Sequence, residues 1–129
     1  MKKVLLVEDD LPYRKIYTLK FEASGYQVDT AADGLEALAK LKSNLPDIAL
    51  VDLLMPKMDG FQLIDKVKKD PKLCKIPIVV LTNLATADDA QKVIREGVED
   101  VLVKSNVEPN AIVARVDEIL AMHAGSDKG

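Results

Sequence analysis

Residues 48–60 read IALVDLLMPKMDG, and the reading of this stretch decides the fold. Ile48, Ala49, Leu50 and Val51 are apolar on both faces, which suits a central strand of a parallel sheet covered by helices on both sides. The run ends abruptly in a carboxylate, Asp52. In open α/β sheets the ligand crevice lies just beyond the carboxyl ends of the strands, so a carboxylate delivered there is placed for chemistry rather than for packing. Met55-Pro56 and Asp59-Gly60 then turn the chain toward the next helix. Taken alone, an aspartate that merely caps a strand end is an equally good reading, and the flanking sequence has to decide.

Working outward, residues 4–7 (VLLV) form another wholly apolar run, which breaks into Glu8, Asp9 and Asp10 before Leu11-Pro12 opens a helix. Asp10 is placed to cap that helix, with Pro12 in the first turn where its missing N–H costs nothing, and Tyr13, Ile16, Tyr17 and Phe21 give it an apolar stripe up to Gly25. Residues 26–31 alternate, with Val28 and Thr30 opposite Gln27 and Asp29, as expected of an edge strand. Asp33 then reads as an N-cap with Glu36 three residues on, and Leu35, Leu38, Leu41 and Leu45 continue one helical face until Pro46.

Downstream of Gly60, Phe61, Ile64 and Val67 mark a helix that stops before Pro71. Residues 78–81 are a further apolar run, ending in Thr82. Thr86 is a candidate cap for a helix carrying Ala90, Val93 and Ile94 and stopped by Gly97. Residues 101–103 form the last strand, which ends in Lys104. A final helix from Pro109 carries Ile112, Val113, Val116, Ile119 and Leu120. Residues 1–123 are read as one domain, and 124–129 as a polar C-terminal tail.

Five strands alternating with five helices predict an α/β fold with a doubly wound parallel sheet. Handedness brings all the strand carboxyl ends to one side, where Glu8, Asp9, Asp10, Asp52, Thr82 and Lys104 gather. With the second strand at the edge, the polar ends cluster over the other four strands, which matches 2-1-3-4-5, a common order of doubly wound sheets.

Composition narrows the function further. The formal net charge of −3, with acids and bases interspersed, leaves no basic footprint for direct nucleic-acid binding and no polybasic patch for a membrane. The apolar runs are too short to span a bilayer, and Met1-Lys2-Lys3 leads into a strand rather than a signal-peptide core, so a cytoplasmic protein is expected. Cys74 is the only cysteine, which rules out an internal disulfide, and no Cys/His cluster has zinc-ligand spacing.

Several carboxylates facing one crevice repel one another unless a cation sits between them. With oxygen ligands alone, magnesium or manganese is favoured over zinc. Asp52 has the chemistry of a nucleophile that forms an aspartyl phosphate, with the cation and Lys104 holding phosphoryl oxygens and Thr82 donating its hydroxyl to another.

The segments VLLVEDD (4–10), LVDLLMPKMDG (50–60), VVLTN (79–83) and VLVKS (101–105) together resemble the receiver domain of bacterial two-component response regulators, over essentially the whole chain. The resemblance implies the flavodoxin-like receiver fold and a phosphoryl group accepted on Asp52 from a sensor histidine kinase or phosphotransfer protein. It makes Asp9 a direct Mg2+ ligand, Glu8 a ligand by way of water, and Leu54 a ligand through its backbone carbonyl. Thr82 becomes the switch hydroxyl and Lys104 the phosphoryl-pairing lysine. By the same resemblance the signal passes by protein–protein contact, from the surface of the fourth helix, fifth strand and fifth helix.

Three positions depart from the pattern. Ser105 stands where a cis proline usually follows the lysine, which leaves the geometry of that bond open. Val101 replaces the usual aromatic, and Asn83 replaces a small residue after the switch hydroxyl. By the same resemblance, Leu54 and Leu84 stand at the positions that flank the approach of a hydrolytic water, which predicts slow loss of the phosphoryl group. The alternatives are a pseudo-receiver that is never phosphorylated and a magnesium-dependent phosphohydrolase. The latter generally needs an acid two residues past the nucleophile, where this chain has Leu54.

Overall fold

The computed structural model describes residues 2–83 and 86–127. Strands β1 (Lys3–Val7), β2 (Gln27–Ala31), β3 (Ile48–Val51), β4 (Ile78–Thr82) and β5 (Asp100–Val103) alternate with helices α1 (Leu11–Ala23), α2 (Gly34–Ser43), α3 (Gly60–Lys69), α4 (Ala87–Arg95) and α5 (Pro109–Asp127). The strands pair in parallel, as the alternation of elements predicts, and in the expected order β2-β1-β3-β4-β5 with β2 at an edge. Val7 lies opposite Val51, Val51 opposite Val80, and Thr82 opposite Val103, so the carboxyl ends of four strands come out at one rim.

Both faces of the sheet are covered, which is why the central strands read as unbroken apolar runs. Successive residues point to opposite faces. Leu5, Val7, Ala49, Val51 and Val80 pack with Ala37, Leu41, Leu63, Ile64 and Val67 from α2 and α3, together with Val93 of α4. Val4, Leu6, Ile48, Leu50, Val79 and Leu81 pack with Tyr17 and Phe21 of α1 and with Ile112, Val116 and Ile119 of α5. Burying one such aliphatic side chain contributes roughly 1.5–3 kcal/mol. The central strands therefore form a stiff platform under the rim.

The edge strands are wetter. β2 keeps Gln27 exposed and β5 is half-buried along its length.

Caps hold the helices in phase with the sheet. Asp10 accepts from the Tyr13 N–H at 3.2 Å and Asp33 from the Glu36 N–H at 2.8 Å. Thr86 and Asp89 cap α4 reciprocally, and Asp59 and Gln62 do the same for α3. Gly25 and Gly97, with φ of 91° and 100°, follow the ends of α1 and α4 in the left-handed region that favours glycine.

Three helix faces differ from the periodicity-based expectation. In α2 the buried residues are Gly34, Ala37 and Leu41, whereas Leu35 is 52% exposed and Leu45 lies beyond the helix end, also exposed. The cause is Gly34, whose N–H donates to the Met58 carbonyl at 3.1 Å and where a Cβ would collide with Met58. That contact rotates the helix and turns Leu35 outward. Ile16 of α1 and Ile94 of α4 are likewise exposed, leaving Tyr17 and Phe21, and Val93, as the buried residues of those helices. Residues 124–127, expected to begin a polar tail, continue α5. His123 on that helix pairs with Glu99, its Nε2 lying 2.7 Å from the Glu99 Oε1. Among the described residues no helix is long and apolar enough to cross a membrane.

Candidate functional site

At the carboxyl rim, Glu8 follows β1, Asp52 follows β3, Thr82 ends β4 and Lys104 follows β5, and all four are buried. Carboxylate oxygens of Glu8, Asp9 and Asp52 all lie within 4.8 Å of one another. Asp9 is exposed, while Glu8 and Asp52 are only 1% and 7% exposed, so the cluster has a dry floor and a wet mouth. The Lys104 Nζ sits on that floor, 2.8 Å from Asp52 Oδ2 and in contact with Glu8 Oε1.

The local sequence builds this arrangement. The Asp52 N–H donates to the Val7 carbonyl at 3.1 Å, which carries the β1–β3 ladder one residue past the strand and pins Asp52 beside Glu8. The Leu54 N–H turns back to donate to Asp52 Oδ1 at 3.2 Å. Gly60 closes the loop, donating its N–H to the Leu53 carbonyl at 3.0 Å. A Cβ there would strike the Asp52 carbonyl oxygen and the Leu53 Cα. The glycine is needed for this close approach rather than for an unusual φ.

Electrostatics follow from burial. Desolvation pushes Glu8 up to about 7, against the lowering pull of Lys104 and of the Asp10 N–H, while the Asp52 charge adds to the rise. Burial also works against the Lys104 charge, but hydrogen bonds and charge from Asp52 and Glu8 outweigh it and hold the ammonium above its usual range. The site therefore carries more negative charge than one lysine balances. A hard divalent cation fits such an all-oxygen carboxylate set.

The structure thus brings together Glu8, Asp9, Asp52 and Lys104, with Thr82 buried on the neighbouring strand end and opposite Val103, the residue before the lysine. Asp10 serves as the cap of α1, and Leu54 presents a side chain that is 49% exposed at the mouth. Leu84 lies outside the described residues. The Lys104–Ser105 peptide is trans, as are all described peptide bonds. Val101 is partly buried against the core beneath α2, α3 and α4.

Two contributors escaped the sequence reading. The Tyr13 ring lies 4.6 Å from the Lys104 Nζ, a cation–π contact, and Arg14 Nη1 donates to the Glu8 carbonyl at 3.1 Å. Tyr13 was legible only as part of an apolar stripe. A surface cavity of about 590 Å³, lined by Leu38, Lys42, Asp65 and Lys69 among others, includes none of these site residues.

The model of the response regulator receiver domain family matches residues 4–117. The chain belongs to this family. It is 39% identical over 102 residues to the response regulator PleD of Caulobacter vibrioides, covering 79% of the chain and 22% of PleD. It is 33% identical over 117 residues to the gliding motility regulatory protein of Myxococcus xanthus, covering 91% of the chain and 15% of that protein. The receiver spans less than half the length of each of these two relatives. Among solved structures, the CheY-like response regulator receiver domain protein of Methanospirillum hungatei superposes with a TM-score of 0.90 at 25% identity, over 98% of both chains. The receiver fold is therefore shared over nearly the whole chain, well beyond the four motifs.

Proposed function

We propose that this receiver accepts a phosphoryl group on the Asp52 carboxylate from a phosphohistidine of a sensor histidine kinase or phosphotransfer protein. An Asp52 oxygen forms the new P–O bond as the donor's P–N bond breaks, and the released imidazole takes up a proton. The carrying observation is Lys104 Nζ lodged between Asp52 and Glu8, with Asp9 completing the carboxylate cluster at the mouth.

Glu8, Asp9, Asp52 and the Leu54 backbone carbonyl are the groups that would hold Mg2+, or Mn2+ in its place. When bound, the cation supplies charge neutralisation between the carboxylates and the incoming phosphoryl oxygens. Lys104 stays charged and is already beside the acceptor, so it can pair with a phosphoryl oxygen without reorganising. Thr82, at the adjacent strand end, offers its hydroxyl to a phosphoryl oxygen and carries the change into the segment leading to α4. The signal then passes by contact with a protein partner.

The test is the intact mass of the protein after incubation with acetyl phosphate and magnesium. One phosphoryl group should be added to the wild type and none to Asp52→Asn. An unmodified wild type, with the magnesium shown to bind, would favour a receiver that works without phosphorylation.

A further inference from the structure

Asn83 follows Thr82 directly, and Ser105 follows Lys104 directly. The two positions depart from the family's usual residues, and in the structure they touch. The Ser105 N–H donates to the Asn83 Oδ1 at 2.8 Å, across a separation of 22 residues. The Asn83 Nδ2 in turn donates to the Tyr13 hydroxyl at 3.3 Å, and the Tyr13 ring lies 4.6 Å from the Lys104 Nζ.

The chemistry of each partner is specific. Residues Lys104–Asn106 form a 3-10 turn with no side-chain cap of its own, and the first N–H groups of such a turn have no internal acceptor. Asn83 supplies that acceptor from a different loop. A proline at position 105 would have no N–H to donate. An amide side chain is also the group that accepts at one atom and donates at the other, so Asn83 holds Ser105 and Tyr13 at once. The backbone behind Lys104 and the ring beneath its ammonium are thereby tied to one residue.

We propose that Asn83 is a positioning residue for Lys104. It fixes the backbone of the lysine through Ser105 and the aromatic surface under its ammonium through Tyr13, and so holds the Nζ against Asp52 and Glu8. The effect on phosphorylation rests on the function proposed above, whereas the effect on Lys104 itself does not.

The experiment therefore has two readouts. In the cation-free protein, NMR follows the exchange of the Ser105 amide and the ammonium signal of Lys104. Asn83→Ala should speed exchange of that amide many-fold and broaden or abolish the ammonium signal, while the amides of β1 and β3 stay protected. With acetyl phosphate and magnesium, Asn83→Ala should lower the rate of phosphorylation about ten-fold, inside the roughly hundred-fold that a misplacement of about 1 Å can cost. Magnesium affinity should stay within about two-fold, because no metal-binding carboxylate is touched. In a Lys104→Ala background, adding Asn83→Ala should leave the rate unchanged, because its effect runs through the lysine.

An unaltered Lys104 signal in Asn83→Ala would overturn the proposal. So would an equal drop in rate in the Lys104→Ala background, which would mean general damage to the loop. If the wild type is not phosphorylated at all, the reading of Asp52 fails while the Ser105 and Lys104 signals still decide the role of Asn83.

Discussion

Two regions of this protein lie one residue apart and follow opposite rules. Val7, Val51, Leu81 and Val103 are apolar members of the sheet, while the next residue along in each case, Glu8, Asp52, Thr82 or Lys104, is buried and polar or charged. The sheet interior gains by removing apolar area from water. The rim keeps ionisable groups away from water, at a cost that mutual pairing only partly offsets. Stability resides below that boundary and reactivity above it, and substitutions on either side should leave opposite signatures.

The largest effect expected is on the reactive side. Asp9→Ala removes an exposed carboxylate from the cluster, and because even supporting groups of metal sites are worth about 10–100-fold, phosphorylation at limiting magnesium should fall by more than about a hundred-fold. Its unfolding midpoint in urea should barely move, since exposed substitutions usually stay within about 0.5 kcal/mol. Leu50→Ala is the mirror case. Leu50 is fully buried in the central strand, so its loss should cost about 2–5 kcal/mol in urea unfolding, with the folded fraction still phosphorylated at Asp52. An Asp9→Ala protein that loses stability, or a folded Leu50→Ala protein that loses phosphorylation, would erase the division.

Gly60 lies on the boundary itself. Gly60→Ala should both destabilise the fold, by about 1–3 kcal/mol of overpacking, and slow phosphorylation, because the new methyl group presses on the Asp52 backbone. Urea unfolding and acetyl phosphate kinetics on the same variant would show whether the two losses appear together.

The gentlest probe of the comparison is pH. Glu8 is raised from 4.5 to about 7 in the folded protein, so the folded state binds that proton more tightly than the unfolded chain does. Protonation of this group therefore favours folding. Without a cation, its contribution makes the protein more stable as pH falls from 8 through 7 toward 5.5. Magnesium competes with the proton, so the rise in melting temperature on adding it should be larger at pH 8 than at pH 5.5. Equal magnesium shifts at both pH values would show that Glu8 is not part of the cation's surroundings.

Much of this was legible in the sequence, for identifiable reasons. Four apolar runs end in polar or charged side chains, three acids after the first and Asp52, Thr82 or Lys104 after each of the others, and parallel topology converts that pattern into a shared rim, so Glu8, Asp9, Asp52, Thr82 and Lys104 could be grouped from the sequence. The helix faces were less legible. Leu35 fitted an apolar stripe, but the close approach of Gly34 to Met58 sets the rotation of α2, and a tertiary contact of that kind leaves no periodic trace. Tyr13 illustrates the same limit at the site, since its spacing marks a helix face while its contact with Lys104 depends on how α1 sits against β5. Asn83 and Ser105 were visible as departures, and only their 2.8 Å contact shows that they belong together.

The central claim is that Asp52, among all the carboxylates gathered at the rim, is the group that takes the phosphoryl. Phosphorylate the wild-type protein with acetyl phosphate and magnesium, reduce the acyl phosphate with borohydride, and locate the product by peptide mass spectrometry. The account predicts homoserine at position 52 and nowhere else. Reduction at Glu8 or Asp9, or a product spread over several surface carboxylates, would contradict it.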